Sequence, residues 1–311
     1  MTDRELMIRA AWMYYHDNLT HAEIARRLHL SRVKVTRLLK RAREQGIVEI
    51  RVTQPMPPDL ELSRQMEHRF GLEQAIVVSS TAPDALGQAT AELLLYLMKG
   101  GLYIGFGWSS TVSRIASYIA TQDKNSDCTI VDLIGTMVGE ANPYSVSGSV
   151  ADALKARLMP LAVPVMVSSR DARDTLLAEP SIAATLDAAR RCDVAFVGVG
   201  EIGPTNTMVE IGQMEADKLH ELEAHGAVGE MLIRYYDING KAVINDTHER
   251  IIGLTLHELE QIPSVVLVAH GQHKVKALIG ALNSGIASIL ITDIETATLL
   301  LAEPNTDLAT Q

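Results

Sequence analysis

A chain of 311 residues, 47% of them hydrophobic and 21% charged, has room for one large domain or for a small domain joined to a medium one. Its net charge of −10, taken over the whole chain, argues against a nucleic-acid partner, and its two cysteines, Cys128 and Cys192, lie in apolar stretches outside any metal or redox motif. No signal or lipidation pattern opens the sequence and no apolar run approaches the ~18 residues of a membrane span, so the expectation is a soluble cytoplasmic protein with no membrane partner, no metal and no cofactor.

From the N-terminus, RELMIRAAWMYY (4–15) sets Leu6, Ile8, Ala11, Trp12 and Tyr15 on or near one face, as a supporting helix would. Duplex readers rarely stack bases, so Trp12, Tyr14 and Tyr15 fit core and phosphate-edge positions better than stacking ones. In residues 20–46 the apolar positions Ala22, Ile24, Ala25, Leu28 and Leu30 recur at helical spacing behind Thr20, with Glu23 three residues on to close a capping box. Ser31 then caps a second helix through Val33, Val35, Leu38, Leu39 and Ala42, which Gly46 ends. Its polar face carries Arg32, Lys34, Arg37, Lys40, Arg41 and Arg43. Two short amphipathic helices around a tight turn, the second basic, fit a helix-turn-helix that lays its second helix in the major groove of double-stranded DNA. Arg32, Lys34, Thr36 and Arg37 are expected to read bases, and Thr20, Lys40 and Arg41 to contact phosphates, with Ser31 opening the recognition helix.

The charge distribution removes the objection from net charge. Residues 1–54 hold 11 Lys and Arg against 6 Asp and Glu, whereas the remainder holds 17 against 32, so a small basic module is joined to an acidic body that repels phosphate. The segment IVEIRVTQ (47–54) alternates like a half-buried strand, Pro55, Pro57 and Pro58 mark a semi-rigid linker, and 59–70 reads as an amphipathic helix that packs on the body or pairs with its copy. The boundaries are therefore 1–54 for a DNA-binding domain, 55–72 for linker and helix, and 73–311 for an effector-binding and oligomerisation domain.

In that body AIVVSS, LYIGFG, CTIVDLIG, LAVPVMV, DVAFVGVG, SVVLVAHG and SILITD are continuous Val- and Ile-rich runs, as strands buried on both faces must be. Helical stretches lie between them at 82–98, 112–118, 146–158, 182–191, 274–283 and 294–301, which makes an α/β body with a largely parallel sheet. Ligands of such sheets bind past the carboxyl ends of the strands, so the loops there carry the candidates. Gly105 to Thr111 follows one strand and opens a helix: Gly105 and Gly107 allow close backbone approach, and Ser109, Ser110 and Thr111 add hydroxyls that suit a phosphate or polyhydroxy group, or serve simply as a helix cap. Gly198, Gly200 and Gly203 match a dinucleotide fingerprint, but Pro204, Thr205, Asn206 and Thr207 deny it the following helix, and it is rejected. Gly226 and Gly229 bear a turn ending at Glu230, an acid in an apolar stretch. Lys274 opens a helix after Gly271, where a cation opposes the helix dipole unless an anion sits nearby. No catalytic set emerges, although Glu230 and Lys274 could serve as base and electrophile in a sugar-phosphate isomerisation, which leaves an isomerase-like enzyme with an N-terminal interaction module as the alternative.

The order TxxEIAxxLxLSRxKVTRLLKxAREQGIVEI, GFGWSST, HGAVGE with RYYDINGK, IGLTLHELEQIP, and GxxK followed by ILITDIETATLLL resembles the SorC family of sugar-binding transcriptional regulators, over essentially the whole chain. The resemblance implies a bacterial repressor or activator, not an enzyme, whose large doubly wound, mostly parallel-sheet domain is similar to sugar-phosphate isomerases in fold. It further implies a sugar, polyol or sugar-phosphate effector, operator DNA, and a homo-oligomer, dimer or tetramer. Carried across, the recognition helix falls on 31–43, the effector loop on 105–111, the acidic effector contact on Glu230, the phosphate-contacting lysine on Lys274 and a further polar contact on Thr207. Two departures from the family pattern, His270 before Gly271 and Trp108 before Ser109, bear on which effector fits.

Overall fold

The structure is a computed structural model describing residues 2–50, 56–79, 83–98, 100–119, 127–137, 145–203, 206–210, 212 and 214–304. The chain divides into two compact units, Met1–Met56 and Pro57–Gln311.

In the first unit α1 (Asp3–Ala11) starts at a capping box in which Thr2 and Glu5 exchange side-chain and backbone hydrogen bonds, and it runs into a single π turn at Trp12–His16. The wider turn carries Trp12 out to 61% exposure, against its expected core position. Helix α2 (His21–Leu28) is capped by Thr20 and Glu23 as the spacing predicts, and it ends where His29 turns left-handed at φ 54°. Helix α3 (Arg32–Glu44) starts at Ser31, whose hydroxyl accepts from the Lys34 N–H at 3.2 Å. Leu6, Met7 and Ala10 of α1, Ile24 and Ala25 of α2, and Val35, Leu38, Leu39 and Ala42 of α3 close over one another as the core. The expected strand after Gly46 does not form over residues 47–50, and 51–54 lie outside the described residues. The Ile47 and Val48 N–H groups instead donate to Ala42 O (2.9 and 3.2 Å) and their side chains pack on the helical core, so the apolar alternation serves the helix terminus.

The second unit begins with α4 (Pro58–Phe70), whose proline occupies the first helical turn and whose end is Gly71 at φ +67°. It packs on the body. Its Ser63 and Glu67 side chains accept from the Val77 and Ala75 N–H groups of β1 (Gln74–Val78), and Arg69 donates to Leu300 O and Glu303 O at the far end of the chain. There follow α5 (Pro83–Leu97), β2 (Tyr103–Phe106), β3 (Thr129–Asp132), α6 (Ser147–Leu154), β4 (Arg157–Met159), α7 (Arg170–Leu177), α8 (Pro180–Arg190) and β5 (Val194–Val197). A smaller excursion holds β6 (Gly200–Glu201), α9 (Thr207–Glu210), α10 (Ala216–Ala224), β7 (Ala227–Met231) and β8 (Arg234–Asp237). The chain then closes with α11 (Leu256–Glu260), β9 (Ser264–Val268), α12 (Val275–Asn283), β10 (Ile289–Asp293) and α13 (Ile294–Ala302).

Seven strands form one sheet in the order β1-β10-β9-β5-β2-β3-β4, every pair parallel, while β6, β7 and β8 form a separate antiparallel sheet. Alternate residues of the large sheet enter opposite cores. Ala195, Val197, Val265, Leu267 and Leu290 pack on one face, and Val194, Phe196, Val266, Val268, Ile289 and Ile291 on the other. Both faces are covered, which is why these strands read as unbroken apolar runs. Strand order reverses between β2 and β5, so a crevice opens at their carboxyl ends.

Three expected elements differ. LAVPVMV makes only isolated bridges, Thr136 with Pro164 and Met166 with Ile251, because Pro164 has no N–H to give a ladder, and the edge strand is β4 just before it. The helix expected over 146–158 ends at Leu154, where Lys155 turns left-handed at φ 50° and releases the chain into β4. The helix expected at 112–118 is a 3-10 helix, Val112–Ser117.

Candidate functional site

Three segments meet over the crevice between β2 and β5. The chain leaving β2 donates the Gly107 N–H to Phe196 O at 3.0 Å and then places Trp108 and Ser109. The chain leaving β5 places Gly198, where a Cβ would come within 2.6 Å of Ser109 Oγ, so only glycine lets the two strand ends close up. The β7–β8 hairpin lies across both, bringing Glu230, Leu232 and Ile233. Together with Ile134 and Met208 these side chains wall a cavity of about 40 Å³, with Ser109 and Glu230 as its polar groups. A water occupies roughly 10–15 Å³ on such a measure, so a monosaccharide enters only as the walls part.

Glu230 is held from two sides. Its carboxylate accepts the Ile233 N–H at 2.6 Å, and it lies so close to Gly200 of the neighbouring β6 that any Cβ there would overlap it. Burial pushes its pKa up, against the pull of that N–H and of the Lys274 ammonium. Lys274 is half-buried, at the N-terminal boundary of α12 after Gly271 at φ +106°. Burial pushes its pKa down, against the carboxylates of Glu230 and Glu201. A half-buried carboxylate and a hydroxyl therefore face one small space, with the Lys274 ammonium within electrostatic reach of the carboxylate, and donors and acceptors of this kind suit hydroxyl-bearing anions. Beside them His270 Nδ1 stands 3.7 Å from Asp293 Oδ2, with burial lowering the imidazole pKa.

Of the expected effector residues, Ser109 and Glu230 line the cavity and Lys274 reaches Glu230 electrostatically. Gly105 is buried within β2, where a Cβ would collide with Leu133 and stand 3.1 Å from Cys192 Sγ, and Gly107 makes room for Leu232, whose Cδ2 lies 2.5 Å from the Cβ position. These two glycines therefore shape the packing beneath the cavity. Ser110 is exposed and its carbonyl accepts from Ser113 Oγ at 3.0 Å; Thr111 is buried. Ser109 Oγ accepts from the Thr111 and Val112 N–H groups, so the cap and the cavity wall are one residue. Thr207 opens α9, and its side chain lies outside the described residues. Gly226, at φ +86°, makes the turn, and Gly229 lies inside β7 rather than in it. Trp108 lies in the expected effector loop, Gly198 is expected only in the rejected dinucleotide fingerprint, and Ile134, Met208, Leu232 and Ile233 are not expected at the site from the sequence. Among the described residues no group of acidic, histidine and cysteine side chains could hold a metal ion.

In the first unit α2 and α3 are joined by the turn His29–Ser31. Arg32, Thr36, Arg37 and Lys40 are exposed along α3, and Lys34 is half-exposed. Thr36 Oγ1 donates to Arg32 O at 3.1 Å and stands 3.1 Å from His21 Nδ1, while Arg41 pairs with Asp3 at 2.7 Å and Lys40 with Glu44 at 3.8 Å. Thr20 and Ser31 are occupied as caps.

The helix-turn-helix and the crevice of an all-parallel sheet define a regulator with a ligand-binding body, and comparison with known proteins agrees. The Sugar-bind family, described as "Putative sugar-binding domain", matches residues 54–302. The chain is 33% identical to the transcriptional regulator LsrR of Escherichia coli K12 over 97% of its own length and 96% of that protein's. It is 29% identical to the transcriptional regulator YjhU of the same organism, over 95% and 94%. The full-length sorbitol operon regulator SorC of Klebsiella pneumoniae superposes with a TM-score of 0.75 at 30% identity, over 96% of this chain and 99% of that one. The chain belongs to the SorC family of sugar-binding transcriptional regulators.

Proposed function

We propose that residues 1–54 bind double-stranded operator DNA through α2, the turn and α3, and that the body, residues 73–311, binds a sugar, polyol or sugar phosphate at the β2–β5 crevice and carries the oligomer contacts. Arg32, Lys34, Thr36 and Arg37 face base edges, and Thr20, Ser31, Lys40 and Arg41 lie along the backbone. Arg41 and Lys40 would exchange Asp3 and Glu44 for phosphate. Ser109, Glu230 and Lys274 contact the effector, Ser110, Thr111 and Thr207 are proposed as further polar contacts, and Gly105 and Gly107 shape the packing beneath the cavity. The observation that carries this reading is the meeting of Ser109 and Glu230 in a cavity at the point where strand order reverses, with Lys274 interacting electrostatically with Glu230, in a body whose relatives are named as transcriptional regulators. The protein acts without catalysis or cofactor, as a cytoplasmic dimer or tetramer that sets two recognition helices against half-sites one helical turn or its multiples apart. Ligand bound at the crevice shifts the placement of the subunits and so the affinity for operator. A thermal-shift screen of sugars, polyols and their phosphates, followed by operator release with any hit, tests it. Turnover of a sugar phosphate by the purified chain would replace it with the isomerase reading.

A further inference from the structure

Among the described residues of α3 a single large apolar side chain, Val33, is exposed, at 76%, whereas Val35, Leu38, Leu39 and Ala42 are each exposed by 4% or less. It therefore contributes nothing to the core, and as a β-branched residue in a helix it has lower propensity than the Lys, Arg or Glu that an exposed position normally takes. At 3.6 residues per turn Val33 shares its face with Thr36, Arg37 and Lys40, three, four and seven positions on, and it stands between Arg32 and Lys34. An isolated methyl-bearing side chain ringed by cations does not suit a contact with the same helix of a second copy, which would bring Arg32, Lys34 and Arg37 against themselves. It suits a polyanion that displays a small apolar group between its charges. Double-stranded DNA is such a polymer: in the major groove the C5-methyl of thymine is the apolar feature that marks one base from the others.

We propose that Val33 is a specificity-determining residue that packs on a thymine C5-methyl in the major groove, so that part of the operator preference is read by apolar contact. This rests on the DNA-binding reading given above. The test uses the full chain and a duplex that it selects from a random-sequence pool, with each thymine of that duplex replaced in turn by deoxyuridine, which removes the methyl and leaves the pairing. The expected result is a loss of about threefold to fivefold at one thymine per half-site, the worth of one buried methyl group. Val33→Ala should bind the parent duplex more weakly by a similar factor and be indifferent to deoxyuridine at that position, with its melting temperature unchanged. Lys40→Ala should weaken binding to both duplexes alike. Wild-type binding that ignores every thymine methyl overturns the inference, as does a Val33→Ala protein that keeps the sensitivity or that changes oligomeric state instead. A pool that yields no preferred duplex overturns the DNA-binding reading itself, a result distinct from a preferred duplex without a methyl contact.

Discussion

Burial raises the Glu230 carboxyl above its ordinary 4.5, while the Ile233 N–H and the Lys274 ammonium hold it down, so the native state keeps its proton to a higher pH than the unfolded chain does. A group with a raised folded pKa contributes stability that is complete below the unfolded value and is lost as pH rises through the folded one. Stability from this residue therefore declines from about pH 4.5 upward. Glu230→Gln should remove that slope in urea titrations at a series of pH values, while its side-chain oxygen still accepts from Ile233. Lys274→Met should steepen the decline, because it leaves the acid without its cation; an unchanged slope in both variants would separate the two groups. Lys274 has the opposite sense in its own range: its folded pKa is lowered, so its unfavourable contribution fades as pH rises toward 10.5. If the carboxylate grips ligand hydroxyls, Glu230→Gln also costs about 1.5–3 kcal/mol of effector binding, the worth of a hydrogen bond to a charged group, readable by calorimetry.

The hairpin that carries Glu230 is the element on which the cavity depends, and it is built against local preference. Leu232 and Ile233 occupy a two-residue turn at φ 54° and 58°, where Asn-Gly is the usual choice, and both are buried. The Glu230 bond to the Ile233 N–H and the Leu232 contact over Gly107 keep the turn in place. Gly200→Ala should push the carboxylate off its partner strand, destabilise the protein by about 1–3 kcal/mol as an overpacked site does, and abolish the thermal shift given by effector. At the other end of the chain the caps are separable from DNA contact: Thr20→Ala should cost about 1 kcal/mol of stability, whatever it does to operator affinity. These contrasts show what the sequence could reveal. Thr20, Glu23, Ser31 and Gly46 are local signals, so α2 and α3 were legible to within a residue or two, and unbroken Val and Ile runs betrayed strands covered on both faces. Ile47 and Val48 misled because an apolar pair that seals a helix end alternates like a strand. The cavity walls were mostly hidden, since Ile134, Met208 and Leu232 meet only through the topology, and a Leu-Ile turn carries no Gly or Asn to announce it.

Across the whole molecule, charge and ligand chemistry are divided between the two units. Residues 1–54 carry 11 Lys and Arg against 6 Asp and Glu, and the rest carries 17 against 32, so net attraction to the DNA backbone comes from the helical unit and net repulsion by the body disfavours non-specific binding. Such a division makes DNA affinity and effector affinity separable by mutation, although coupled in function. Arg37→Ala should cost about 1–3 kcal/mol on the preferred duplex and flatten discrimination at one base position, whereas Lys40→Ala should weaken all duplexes alike and reduce the slope of log affinity against log salt by about 1. Neither change should alter the effector-induced rise in melting temperature, because both side chains are exposed on α3 and belong to the other unit. Glu230→Gln should do the reverse, keeping operator affinity and its salt slope while losing release by effector. By reciprocity, the factor by which effector weakens wild-type operator binding must equal the factor by which operator weakens effector binding. Titrating each ligand in the presence of the other measures both factors. Values that differ would mean that the crevice ligand and the DNA do not act on the same equilibrium, and the regulatory reading of the body would fall even with both binding sites intact.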